Sequence, residues 1–282
     1  MKMRVNVLTR SPLLSFFVLS YALFWLVLAL FGAAVGVFHL NLTAHPELKN
    51  GVVILGSWMP SLAAALVVGA TSGRQAVAGL FAKLIAVPVA GRWILAAFIP
   101  AVVVALSVLG YRTAGGPTTT GVTLTLGFWL TWLLVNVFSG ATGEEPGWRG
   151  FALPMLLTRF QPVAAGLLLG VIWSWWHLPL WLLSGYSGLD LLWYVLGFNV
   201  AIVSLSLLIV WLYLNVPHSL IPISIAHFAF NAGFQLAGAG GLGLAQDLPL
   251  LGWVAAGVAI AAGIVWIATP RRRLLTRSPA AR

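Results

Sequence analysis

Residues 139–154 read S-G-A-T-G-E-E-P-G-W-R-G-F-A-L-P, two adjacent glutamates and an arginine in a chain that has only five acidic side chains in all. Outward from this stretch, the 282 residues are 61% hydrophobic and 7% charged, a composition outside the range of water-soluble globular domains. The glutamates therefore have to be explained inside a membrane protein. Apolar runs of about 20 residues, each enough to cross a ~30 Å hydrocarbon layer as helix, fall at about 13–38, 51–70, 92–110, 122–142, 162–183, 189–213, 219–237 and 248–269. Gly and Pro are scattered through these runs and strict alternation is missing, which disfavours an outer-membrane barrel. The expected fold is all-α: a polytopic transmembrane helical bundle of about eight helices, forming one integral membrane domain over 1–282 with a motif-bearing core at about 122–237.

The first run follows Lys2, Arg4 and Arg10 but is too long for a signal peptide and has no small-x-small cleavage site, so it is expected to remain as the first span. With the N-terminus inside, thirteen Lys and Arg fall on inside segments and only Lys49 and Arg112 outside. The positive-inside rule then predicts a cytoplasmic-membrane protein with both termini cytoplasmic. The net charge of +10 points to anionic lipid headgroups rather than nucleic acid, because the arginines crowd the C-terminal tail without interleaved aromatics. The absence of cysteine excludes disulfides, thiolate metal sites and a cysteine nucleophile. Residues 71–91 read as an interfacial helix with Arg74 and Lys83 towards the headgroups, and Gly238–Gly243 as a turn.

Ionisable groups within a bilayer are costly, roughly 2.5–3.5 kcal/mol on insertion scales, so they are functional candidates by default. Glu144 with Glu145 and Arg149, His177, His227 and Asn231 qualify. Pro146 predicts that the fourth span ends near Gly143 and a new helix starts near Glu144. In a regular helix Glu145 and Arg149 share a face and pair, while Glu144 points about 100° away, so the two carboxylates have different jobs. The bland alternative makes both headgroup-level charges at the cytoplasmic end of a span. His177, in G-V-I-W-S-W-W-H-L-P-L-W, also reads as a histidine bonded to backbone, with Trp173, Trp175, Trp176 and Trp181 packing or lining an apolar cavity. His227 and Asn231 share a helix face, and an interhelical hydrogen-bond pair would account for them alone. Three polar stations on three segments favour one cluster instead, since burying them apart costs more.

The ordered set E-E-x-x-x-R, aromatic-x-x-x-H and H-x-x-x-N resembles the CPBP family of type II CAAX prenyl endopeptidases and bacteriocin-processing or immunity (ABI) proteins. The resemblance covers Glu144 to Asn231. It implies an intramembrane endopeptidase in which Glu144 and His177 activate water, Glu145 and Arg149 brace the site, and His227 and Asn231 hold the oxyanion. Trp173 stands where phenylalanine is more usual, which is expected to reshape the cavity without touching the chemistry. The residues by themselves also allow Glu144, His177 and His227 to form a His₂Glu zinc set, so a cofactor of either none or one divalent metal is expected. The implied partners are membrane lipids and a prenylated, lipid-anchored or leader-peptide substrate. Rival readings are a proton-coupled transporter using Glu144 and His177, a silent immunity or scaffold protein, and a rhomboid-like serine protease with Ser187 of G-Y-S-G and His227. The cavity is expected to open inward, because the E-E-x-x-x-R connection is placed on the cytoplasmic side. His177, about 15 residues beyond Pro162, would then lie roughly 22 Å deep, which requires either a later start to the fifth span or an intervening segment that dips into the membrane.

Overall fold

The computed structural model describes residues 9–39, 46–117, 125–182, 184–238 and 247–270, and all its regular elements are helical. They are α1 (Pro12–Phe38), α2 (Pro46–Ser57), α3 (Met59–Ser72), α4 (Arg74–Ala82), α5 (Gly91–Ala96), α6 (Ile99–Thr113), α7 (Leu126–Phe138), α8 (Ala141–Glu145), a π turn (Pro146–Ala152), α9 (Leu153–Leu157), α10 (Pro162–Trp176), α11 (Leu178–Leu182), α12 (Gly188–Tyr213), α13 (Ile221–Gly238) and α14 (Leu248–Ala268). Five stretches are long and apolar enough to span a bilayer: Pro12–Phe38, Asn50–Ser72, Gly91–Thr113, Gly188–Tyr213 and Leu248–Ala268. With α7–α9, α10 and α13 they make the multi-pass bundle of about eight helices that the hydropathy predicts.

Prolines punctuate the spans. Pro12, Pro60, Pro100, Pro154, Pro162 and Pro249 each sit in a helix's first two positions, where the missing N–H costs nothing. Pro60 and Pro100 also lie inside spans. Each ring crowds the carbonyl four residues back, and the preceding helices stop at Ser57 and Ala96. The 71–91 stretch forms α4 and a 3₁₀ turn, Lys83–Ile85. Arg74 is exposed and Lys83 half-buried, its ammonium 3.5 Å from the Gly150 carbonyl. The Gly-rich turn, from residue 239 onward, and the arginine tail from 271 lie outside the described residues.

Side-chain contacts fix how the helices run. α6 and α14 are antiparallel, since Gly110 meets Trp253 and Gly257 meets Ser107. α10 and α12 are antiparallel through Gly166 against Leu207 and Gly170 against Val203. α1 and α10 are parallel, with the Tyr21 hydroxyl donating to the Ile172 carbonyl and, four residues on along both helices, Trp25 Nε1 donating to the Trp176 carbonyl. The bundle therefore has two poles. Arg10 and Arg159 line one cavity at the first, and the starts of α2, α12 and α14, with Glu47, Asp190 and Asp247, lie at the second.

Candidate active site

The fourth span breaks earlier than Pro146 predicts. α7 stops at Phe138, the chain turns at Gly140 with φ +45°, and helix resumes at Ala141. A Cβ at Gly140 would lie 2.9 Å from Asn231 Nδ2 and 3.5 Å from His227 Nε2, so both the backbone conformation and the close approach require glycine. From Ala141 the helix runs on through Pro146, which falls in its second turn. It widens to π geometry there, with Leu153 N–H donating to the Trp148 carbonyl five residues back. Such widened turns recur at functional sites.

Glu144, Glu145 and Arg149 are thus carried inside the bundle, not at its margin. Residues 143–150 are all buried. Gly143 and Gly147, four apart, let this segment lie directly against α3: added Cβ atoms would come within 2.9 Å of the Ser57 carbonyl and 2.6 Å of the Pro60 carbonyl. The G-x-x-x-G spacing, a known signal for close helix approach, went unused in the sequence reading. Ser61 Oγ donates to the Gly143 carbonyl in the same contact. The depth conflict over His177 disappears. The 15 residues from Glu144 to Arg159 and the 15 from Pro162 to His177 each span roughly 22 Å of helix, so both motifs reach one level from the Arg159 pole.

The two glutamates divide as their spacing predicts. Glu145 Oε1 accepts from Arg149 Nη1 at 2.9 Å and is 2.7 Å from His227 Nδ1, with Glu145 and Arg149 fully buried. The helix is not regular here, yet the i,i+4 pair survives the π turn. Glu144 faces elsewhere. Its Oε2 accepts from Trp173 Nε1 at 2.7 Å and Trp148 Nε1 at 3.3 Å. Trp173 thus does more than shape the cavity: its indole N–H holds the Glu144 carboxylate, a bond phenylalanine cannot make. Its ring also lies under the Arg149 guanidinium at 4.2 Å and edge-on to His227 at 5.0 Å. Trp148 is a further site residue that the sequence reading missed, although Glu144 and Trp148 are four apart just as Glu145 and Arg149 are.

His177 ends α10, with Nδ1 donating to the Trp173 carbonyl at 2.9 Å. That bond selects the tautomer whose Nε2 is an open acceptor. Glu144, His177 and Asn231 line one cavity of about 170 Å³, with Ser57, Asn136, Ser139 and Gly140 as further polar or backbone lining. Apolar walls come from Phe24, Leu28, Val52, Val53, Trp176 and Leu180. His227 stands behind Gly140, its Nδ1 held by Glu145. Trp176 and Trp181 are buried and Trp175 is exposed. Ser187 is exposed where α12 begins, and His227 Nδ1 is held by Glu145, so the serine reading finds no hydrogen-bonded dyad among the described residues.

Nor do the candidate metal ligands assemble. Among the described residues no group of three or more His, Asp or Glu side chains is placed to hold a metal ion. As placed, these residues do not fit a His₂Glu zinc centre.

The cavity walls lie to one side of the Glu144 level. Leu28, Val52, Val53, Asn136 and Leu180 lie beyond the Glu144 level, away from Arg10 and Arg159. Towards those arginines the floor is closed by buried Trp148, Arg149, Phe16, Leu153 and Leu156.

Residues 125–233 match the family model described as Rce1-like, type II CAAX prenyl endopeptidase, and this match contains every motif residue above. The motif-bearing segment is thus similar to the Rce1-like family. A curated relative, CAAX prenyl protease 2 of Methanococcus maripaludis, is 32% identical over 123 residues, 42% of this chain and 44% of the relative. The chain thus spans less than half the length of that relative.

Proposed function

We propose that this chain is an intramembrane endopeptidase that hydrolyses a peptide bond of a membrane-associated, prenylated or leader-peptide substrate. The observation that carries this reading is the convergence of Glu144, His177 and Asn231, from three separate segments, on one partly apolar cavity inside the bundle. The catalytic roles follow from the donors and acceptors present. Glu144, steadied through Oε2 by two indoles, keeps Oε1 to take a proton from water. His177, with Nδ1 committed to backbone, offers Nε2 to share that proton and pass it to the leaving amine. Asn231 Nδ2 and His227 Nε2 meet on the Gly140 turn and supply the donors that a tetrahedral oxyanion needs. In that role His227 is held through Nδ1 by Glu145 and presents Nε2 at the Gly140 turn, with Arg149 paired to the same Glu145 oxygen.

The test is turnover of a farnesylated C-a-a-X peptide and of a leader-peptide library by the purified, detergent-solubilised protein. Cleavage by wild type and its loss in Glu144→Gln at unchanged thermal stability is the expected result; equal cleavage by both would remove Glu144 from the chemistry.

A further inference from the structure

We infer that the cavity is entered from the non-cytoplasmic side of the membrane, so that its substrate is a peptide segment with apolar side chains presented at the outer leaflet. The chemistry assigned to that peptide rests on the proposed endopeptidase reading; the sidedness does not.

Two independent asymmetries point the same way. The first is charge. Helix directions put Arg10, Arg74, Lys83, Arg92 and Arg159 at one pole, with no acidic residue among them. In the sequence, Lys2 and Arg4 precede α1 and Arg271, Arg272 and Arg273 follow α14. The other pole carries Glu47, Asp190 and Asp247 with Arg112 and Lys49. Excess Lys and Arg on short segments marks the cytoplasmic side, so the Arg10 pole is cytoplasmic. The second asymmetry is in the cavity itself. Counted from Arg159, Arg10 and Arg74 at that pole, Glu144 lies roughly 22 Å, Leu28 roughly 27 Å and Val52 roughly 33 Å along their helices. The walls therefore rise from the Glu144 level towards the acidic pole, where Val53 and Leu180 are 47% and 39% exposed. Below Glu144, Phe16 packs edge-on against Trp148 at 5.3 Å, and Trp148 and Arg149 are fully buried, which closes the cytoplasmic route. The open wall is largely aliphatic and the floor polar, which suits an apolar peptide segment whose backbone reaches the carboxylate.

The chain has no cysteine, so single cysteines report without background. Intact spheroplasts carrying Val53→Cys, Leu180→Cys, Ser187→Cys or Arg74→Cys would be treated with an impermeant maleimide, then disrupted and treated again. The first three are expected to label in intact cells and Arg74→Cys only after disruption. Labelling of Arg74→Cys in intact cells, with Leu180→Cys and Ser187→Cys protected, would overturn the inference. In a second arm, an impermeant quenched peptide bearing apolar residues around its cleavable bond is offered to right-side-out and inside-out vesicles. Cleavage confined to right-side-out vesicles supports the inference, and cleavage confined to inside-out vesicles overturns it. Outer labelling with no cleavage by either vesicle, or by detergent-solubilised protein, would leave the sidedness standing and count against the endopeptidase reading alone.

Discussion

Glu145 Oε1 lies 2.9 Å from Arg149 Nη1 and 2.7 Å from His227 Nδ1, so one buried oxygen ties the second glutamate to both the arginine one turn on and the histidine of α13. This makes Glu145 a positioning residue whose removal has two consequences. Glu145→Gln strands a fully buried guanidinium, and breaking a buried pair from one side costs about 3–5 kcal/mol. It also frees the His227 ring. The variant is expected to lose both thermal stability and turnover, whereas Glu145→Gln with Arg149→Met should recover most of the melting temperature and little activity. Differential scanning fluorimetry in detergent beside a peptide-cleavage assay separates the two. A fully stable Glu145→Gln would show that the pair contributes nothing to the fold.

That pairing was legible in the sequence because i,i+4 neighbours stay adjacent even where the helix widens. The spans were legible for the same kind of reason, since about 20 apolar residues have few other options in a bilayer. What could not be read was the break at Ser139–Gly140. Pro146 is the louder signal, but a proline near a helix start is compatible with continuation, and the positive φ of Gly140 leaves no mark distinguishing it from the other glycines of the chain. A break placed three residues later puts the E-E-x-x-x-R motif at the membrane edge instead of inside the bundle. Trp148 and Trp173 were hidden differently: an indole in a tryptophan-rich run reads as packing until its N–H is seen to point at a carboxylate.

The Gly140 turn gives a second prediction. An alanine there would be held at a positive φ with ψ −95°, a region L-residues rarely adopt, at a cost of roughly 1–3 kcal/mol, and its methyl would press on Asn231 Nδ2 from 2.9 Å. Gly140→Ala should therefore fold with a lowered melting temperature and lose at least tenfold in kcat. Wild-type turnover in a folded Gly140→Ala protein would mean that Asn231 does not act from this position.

Metal dependence is the third. Because Glu144, His177 and His227 are not placed as a ligand group, chelators are expected to leave turnover unchanged, and protein purified without added metal should hold less than stoichiometric zinc by mass spectrometry. One zinc per chain, lost in both His177→Ala and His227→Ala, would show that the site rearranges into a metal centre.

The fourth prediction concerns Trp173, which touches four members of the cluster: its N–H bonds Glu144 at 2.7 Å, its carbonyl takes His177 Nδ1, its face lies under Arg149 and its edge meets His227. Trp173→Phe keeps an aromatic face and removes the N–H, leaving Glu144 only the longer bond from Trp148. Hydrogen bonds to charged groups contribute about 1.5–3 kcal/mol, which corresponds to roughly 10- to 100-fold in rate if the bond serves the reacting carboxylate. The expected result is a fall of that size in kcat with KM within about twofold and a modest loss of melting temperature. If Trp173 only filled space, the smaller ring would instead enlarge the cavity and move KM while sparing kcat. An independent reading comes from ultraviolet resonance Raman spectra, where the indole hydrogen-bond band should differ between wild type and Glu144→Gln and that difference should shrink in the Trp173→Phe background. An unchanged kcat together with no spectral difference would mean that the 2.7 Å bond does not hold Glu144 for catalysis.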